Sequence, residues 1–356
     1  MMDELFYDAV DMLKGMISIQ SFSRDEKNVA DYVETRMKNL GFSPRRSGNN
    51  LWIIPSDFNP QKPTILLNSH LDTVKPSDEW SHDPFMPLED ENGRLFGLGS
   101  NDAGASLVTL FAAFRYLSTI SQEYNLIFLA SCEEEVGGKN GIESVIPMLP
   151  HIDVAIVGEP TNMQPAIAEK GLMVLDGAIH GISGHAARNE GVNAIYRTME
   201  LIEALRSIKF EKESALLGPV KVTVTQIEAG SQHNVIPDLC KIVVDVRTTD
   251  AYSNHETLEI IQNAVKHIDC SLTPRSTRLN SSKIDPVHPL INRLLTMGKE
   301  PFGSPTLSDQ SLMPFQSFKM GPGNSSRSHT ADEYILIDEM RDAIQTYISL
   351  LSKASL

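Results

Sequence analysis

Hydrophobic positions along the chain fall into three textures. Residues 4–19 and 25–40 carry apolar side chains at helical spacing, and Gly41 stands where a second helix would end. Short apolar runs follow at 51–54, 64–69, 125–131 and 153–157, with helical patterns near 103–119 and 139–149. Apolar runs of this length predict strands covered on both faces, and their alternation with helices predicts a layered α/β fold around a mostly parallel sheet. From about residue 172 the pattern changes to period-2 stretches at 221–227 and 241–247, with helices near 191–208 and 254–267. That texture predicts a smaller α+β unit. Helix–strand alternation resumes after Pro286 and ends in an amphipathic helix near 337–352.

Composition narrows the function classes. The chain has 356 residues, and 31 basic against 46 acidic side chains give a net charge of −15, which argues against a nucleic-acid or anionic-membrane partner. No apolar run approaches the roughly 18 residues that span a bilayer. Three scattered cysteines, Cys132, Cys240 and Cys270, form no CxxC pair and fit a reducing compartment, so a cytoplasmic protein is expected. Several nucleotide and nucleophile motifs fail on inspection. Neither Gly97-Leu98-Gly99 nor Gly321-Pro322-Gly323 completes GxGxxG, Gly138-Lys139 lacks the following hydroxyl of a P-loop, and Gly181–His185 is one residue wrong for GxSxG.

Metal-ligand chemistry is better represented. His70-Leu71-Asp72 follows the apolar run at 64–69, so the imidazole would leave a strand end with a carboxylate two residues on, able to orient it. The spacing alone is weak, since His151-Ile152-Asp153 and His267-Ile268-Asp269 repeat it without the buried strand. Asp102 follows a glycine-bearing turn and would by itself serve as a helix N-cap. Glu133, Glu134 and Glu135 sit together at the end of the strand 125–131, where adjacent carboxylates repel unless a cation intervenes. Glu159 ends the next strand. His70, Asp102, Glu134 and Glu159 are separated by 32, 32 and 25 residues, about one β/α unit each. Side chains so spaced gather at the carboxyl ends of an open sheet. A histidine from the C-terminal segment, His329, could complete a set suited to one or two divalent ions such as zinc. The 170-residue gap from Glu159 to His329 would then hold an inserted domain. The expected boundaries are 1–171 with 285–356 for the metal-binding domain and 172–284 for the insert.

Seven ordered segments resemble the M20 metallopeptidase family, in particular its acetylornithine deacetylase and succinyl-diaminopimelate desuccinylase group. They are SHLDTV at 69–74, GLGSND at 97–102, EEEVGG at 133–138, VGEPT at 157–161, GISGHAAR at 181–188, NVIPD at 234–238, and GPG…SHTADEY over 321–334. The resemblance implies two zinc ions, with Co2+ or Mn2+ able to substitute, bridged by Asp102. It assigns His70 and Glu159 to one ion and Glu134 and His329 to the other. Asp72 would orient His70, and Glu133 would be the general base. A one-residue shift would make Glu134 the base and Glu135 the ligand; alignment of the strand ends favours the first register. His185 would stabilise the oxyanion in a partner subunit's site, and Asn234 and Arg247 would hold a substrate carboxylate, although Arg247 could equally form a structural ion pair.

The implied protein is a homodimeric, cytoplasmic hydrolase that removes the acyl group from a small N-acyl amino acid. N-acyl-ornithine or N-acyl-citrulline, in arginine biosynthesis, is the first expectation. A diaminopimelate-type desuccinylase and an M20 dipeptidase or aminopeptidase are the alternatives, with a non-catalytic metal-binding scaffold as a remote one. Ala103-Gly104-Ala105 and Asn189-Glu190 stand where many relatives have Met-Lys-Gly and Pro-His, which bears on substrate and not on the ligand set.

Overall fold

In the computed structural model, which describes residues 1–188 and 190–356, the apolar runs form the middle of a mixed, mostly parallel sheet. Asn189 lies outside the described residues. Thr64–His70 runs parallel to Asn125–Ser131 on one side and to Val154–Val157 on the other, and Gln316–Lys319 pairs in parallel beyond. Asn50–Ile53 adds antiparallel to Asn125–Ser131. Every residue of Thr64–His70 and of Asn125–Ser131 is buried, and successive side chains serve two different cores. Ile65, Leu67, Leu126 and Phe128 join the cluster containing Leu13, Phe111, Phe114 and Tyr347 from the helices Met2–Ile17, Ala105–Leu117 and Ile337–Leu351. Leu66, Ile127 and Leu129 pack on the opposite face with Trp52, Ile142 and Val145. Period-2 alternation inside a continuous apolar run is what a sheet covered on both faces requires.

The registers bring the parallel strands to one common edge. His70 lies opposite Ser131, Asn68 opposite Val157, and Val157 opposite Lys319. The segments that follow these strands therefore leave the sheet together, and they contain Asp72, Glu133–Glu135 and Glu159.

Two local expectations differ from the outcome. The helical pattern at 139–149 yields only Ile142–Val145 and a 3-10 turn over Ile146–Met148, because Gly141 precedes it and Pro147 removes a backbone donor. Asp102 caps no helix: Ala105–Leu117 begins after Gly104 with no side-chain cap. The carboxylate of Asp102 is engaged elsewhere.

The chain divides into two units, Met1–Ile167 with Lys283–Phe302 and Ser308–Leu356, and Ala168–Ser282 with Gly303–Leu307. The second is an antiparallel four-stranded sheet in the order Lys221–Ala229, Leu239–Thr248, Gly171–His180, Cys270–Pro274. Its core is formed with the helices Ala194–Arg206 and Asn254–Val265. A reciprocal cap between Ser253 and Glu256 starts the latter. Gly171–His180 alternates buried and more exposed positions along its length, yet its two glycines and Asp176 blur the period-2 signal in sequence.

Candidate metal centre

His70 is the last residue of its strand and is almost completely buried. Its Nδ1 meets the backbone carbonyl of Asp72 at 2.8 Å and lies 3.6 Å from the Asp72 carboxylate. This fixes the ring and leaves Nε2 to face Asp102 at 3.3 Å. The Asp72 carboxylate itself accepts from the Ser23 hydroxyl at 2.6 Å and from the backbone N–H groups of Glu134 and Glu135 at 3.1 and 3.2 Å. One residue thus orients a ligand histidine and the glutamate turn. By contrast, His151 is 86% exposed and reaches Asp153 at 3.5 Å on the surface, so the repeated spacing has no such consequence there.

The loop before Ala105 is anchored from the other end of the chain. Glu333, buried and remote in sequence, accepts the backbone N–H groups of Gly99, Asn101 and Asp102 at 3.3, 2.8 and 2.9 Å. The Asn101 amide donates to the Asn324 carbonyl and the Ser328 hydroxyl. Together these bonds tie the Asp102 loop to the segment carrying His329. Asp102 Oδ1 faces His70, and its Oδ2 lies 3.6 Å from Nε2 of His329. A single carboxylate stands between two imidazoles.

The three glutamates separate. Glu133, expected over the cluster, is turned away from it: its carboxylate accepts the backbone N–H of Asn140 at 3.3 Å and the Asn140 side-chain amide at 2.9 Å. Its backbone N–H donates to the buried Glu26. Glu133 has φ of 55°, a left-handed conformation costing a non-glycine residue about 1 kcal/mol, and this reverses the alternation carried by the strand. Glu134 and Glu135 are the two that point into the site. Ligand atoms of His70, Glu134 and Glu159 lie within 4.8 Å of one another, as do those of His70, Asp102 and Glu135. His329 Nε2 reaches Glu135 at 3.0 Å, so Glu135 and not Glu134 is the carboxylate beside His329.

The electrostatics describe crowded acids. Burial pushes Glu134 well above the ordinary carboxylate range, and burial followed by Asp102 takes Glu159 to about 8. The Glu135 carboxylate, followed in effect by Asp102, raises His329 to about 9. Burial opposes charge on His70, yet the Asp102 hydrogen bond and the surrounding glutamates hold it well above its usual value. Behind His70, Asp309 accepts from the Ser131 hydroxyl at 2.6 Å, and burial raises it to about 6. Such a set of oxygen and imidazole donors fits divalent cations, which relieve the mutual repulsion of the acids.

Glu26, Asp309, Glu333 and Asn140 were not legible as participants. Glu26, Asp309 and Glu333 act on the site through backbone or hydroxyl groups far away in sequence, and Asn140 through its amide only seven residues from Glu133; no spacing rule marks any of them. The remaining candidates lie in the second unit. His185 is exposed, and its Nδ1 accepts the Ala187 N–H at 3.1 Å. Asn234 is exposed and pairs through its carbonyl with Ala186. Arg247 makes a two-bond contact with Asp245 at 2.9 and 3.1 Å.

Comparison with known proteins agrees with this architecture. Residues 66–353 match the model of peptidase family M20/M25/M40. The acetylornithine deacetylase of Vibrio atlanticus is 27% identical, with 97% of each chain covered. The succinyl-diaminopimelate desuccinylase of Corynebacterium glutamicum is 24% identical at the same coverage of both chains. A tripeptidase from Staphylococcus aureus superposes with a TM-score of 0.80 at 17% identity, again over 97% of each chain. With the family match spanning most of its length, the chain belongs to peptidase family M20/M25/M40, a family of metal-dependent hydrolases.

Proposed function

We propose that the protein is a binuclear metal-dependent amidohydrolase that removes the acyl group from an N-acyl amino acid, in the manner named for the acetylornithine deacetylases. The observation that carries the metal part is the Asp102 carboxylate set between His70 and His329. In this reading His70 and Glu159 would hold one ion, Glu135 and His329 the other, and Asp102 would serve both. Zinc is the expected ion, with Co2+ or Mn2+ as substitutes. When bound, such ions polarise the scissile carbonyl and acidify the attacking water.

The base is assigned to Glu134, one residue later than strand-end counting suggests. Its carboxylate lies near His70 and Glu159, whereas that of Glu133 is taken up by Asn140. Burial raises the proton affinity of Glu134; with cations bound beside it the carboxylate would be ionised and able to take a proton from water, yet basic enough to return it to the departing amine. Asp72 holds both the His70 ring and the backbone of Glu134. His185 accepts a hydrogen bond at Nδ1, so its neutral tautomer carries the proton at Nε2 and can donate to a developing oxyanion. We assign that donation to the partner subunit of a homodimer, with the second unit, 172–284 in the expected boundaries, as the dimerisation domain. Ile195, Tyr196 and Met199 support it as an exposed apolar row on the helix Ala194–Arg206. Asn234 and Arg247 are the expected holders of a substrate carboxylate, Arg247 after exchanging Asp245 for it.

Acetylornithine-type substrates, with a role in arginine biosynthesis, rest on the Vibrio relative, and a succinyl substrate rests on the Corynebacterium one. A short-peptide reading is the second, favoured by the tripeptidase structure. No described helix is long and apolar enough to cross a membrane, and two of three free cysteines are buried; we place the protein in the cytoplasm. The test is a turnover assay of zinc-loaded protein on N-acetylornithine, N-acetylcitrulline, their succinyl analogues and a tripeptide. Preferred hydrolysis of an N-acyl amino acid is expected. Cleavage of the tripeptide alone would move the protein to the peptidases, and no cleavage of any would remove the activity.

A further inference from the structure

Beside His329 the larger unit holds a cavity of roughly 210 Å³, lined among others by Val74, Lys75, Trp80, Leu98, His329 and Thr330. We propose that this cavity is a subsite for a substrate carboxylate, with Lys75 as its counter-charge and Trp80 as its wall. The inference rests on the amidohydrolase reading above, since it places the reacting carbonyl near His329.

Size, charge and construction point the same way. Pockets that enclose whole small molecules run to about 300–1,000 Å³, so this one has room for a short arm of a substrate held elsewhere. The neighbouring cluster carries Asp102, Glu134, Glu135 and Glu159, whose charge two bound divalent ions would offset, so a substrate carboxylate needs a cation of its own. Among the described residues Lys75 is the only lysine or arginine lining the cavity, and none of them pairs with its ammonium. The indole N–H of Trp80 is likewise without an acceptor among the described residues, so the lining contributes two residues with a donor to spare. Asp78 and Glu79 are exposed in the same loop but do not line the cavity. The loop is fastened on both sides. The backbone N–H and hydroxyl of Ser81 donate to Asp332 at 2.9 and 2.7 Å, the Leu98 N–H donates to the Pro84 carbonyl at 2.9 Å, and Thr73 donates to the Ser21 carbonyl at 2.9 Å. Asp332 lies three residues after His329, so the Trp80 loop and that histidine are held as one surface.

A carboxylate here has two sources, a dicarboxylic acyl group or the α-carboxylate of the amino acid. Steady-state kinetics of the wild type and Lys75→Met on four substrates separate them: acetyl and succinyl derivatives of one amino acid, each as the free acid and as the α-carboxamide. Loss of one charge-assisted contact is expected to raise KM about tenfold with kcat kept, and Lys75→Arg should restore most of it. A penalty confined to the succinyl pair assigns the acyl carboxylate, and one confined to the free acids assigns the α-carboxylate. KM values within twofold across all four overturn the subsite. Calorimetric titration with succinate keeps this failure apart from failure of the activity. A wild type that hydrolyses none of the four but binds succinate about tenfold tighter than Lys75→Met keeps the subsite and loses the amidohydrolase. Equal affinity for succinate rejects the subsite whatever the turnover. Lys75 is exposed, so an unchanged melting midpoint is expected for both variants.

Discussion

The Asp72 carboxylate holds Ser23 and the backbone of Glu134 and Glu135 and lies 3.6 Å from Nδ1 of His70, so its loss would disturb the glutamate turn and remove a charge beside a ligand, while the backbone carbonyl that meets His70 stays. Asp72→Ala should lower metal affinity about 10–100-fold, measured by competition with a chelating dye. The glutamates offer a sharper contrast. Glu134→Gln should keep its metal and lose about 10²–10⁴ in kcat, whereas Glu133→Gln should keep most activity; the opposite ranking would restore the earlier register. Protons compete for the same atoms. His329 near 9 and Glu159 near 8 both hold a proton at pH 7 in the metal-free protein and release it on metal binding. Proton release, followed in buffers of different ionisation enthalpy, should therefore be larger at pH 7 than at pH 9.5. Both groups have raised folded values. Their contribution to stability is full below the unfolded pKa values of 6.5 and 4.5 and fades as pH rises towards 9 and 8. Urea midpoints of metal-free protein should accordingly fall between pH 5 and pH 9.

At the scale of elements, sequence revealed what the sheet edge would collect and hid how the turns aim it. His70 was legible because a short run with an apolar centre, Ile65–Leu67, precedes it, and Glu159 because Val154–Val157 does. Glu133–Glu135 were not separable, since three identical residues give counting no foothold and the left-handed backbone at Glu133 reverses the alternation. Glu333 was invisible as the anchor of Asp102, for donor and acceptor are 231 positions apart. The glycines past the strand ends matter for the same aim. A Cβ on Gly321 would come 2.3 Å from the Ser106 hydroxyl and 2.5 Å from the Glu159 carbonyl. Gly321→Ala should displace Glu159, and metal analysis should show weakened retention in a protein that still folds. Core packing is tested independently at Phe111, nearly fully buried in the helix Ala105–Leu117, where Phe111→Ala should cost about 3–5 kcal/mol by denaturant titration.

For the whole molecule, a charge of −15 excluded anionic partners in principle without naming any, and part of that acidity is now located at one sheet edge. The change from short apolar runs to period-2 strands near residue 172 lies close to Ala168, where the second unit begins. The homodimer proposed through the second unit predicts a twofold mass by sedimentation, and Tyr196→Asp with Met199→Asp should yield monomers that keep their metal and lose activity if His185 acts across subunits. An active monomer would remove that role. All of this depends on the cations themselves. The most direct measurement is a zinc titration of chelator-treated protein, read by mass spectrometry of bound metal after dialysis. Close to two ions per chain, reduced to one or fewer in Asp102→Ala, is the expected result; a wild-type chain that retains no divalent ion would contradict the account.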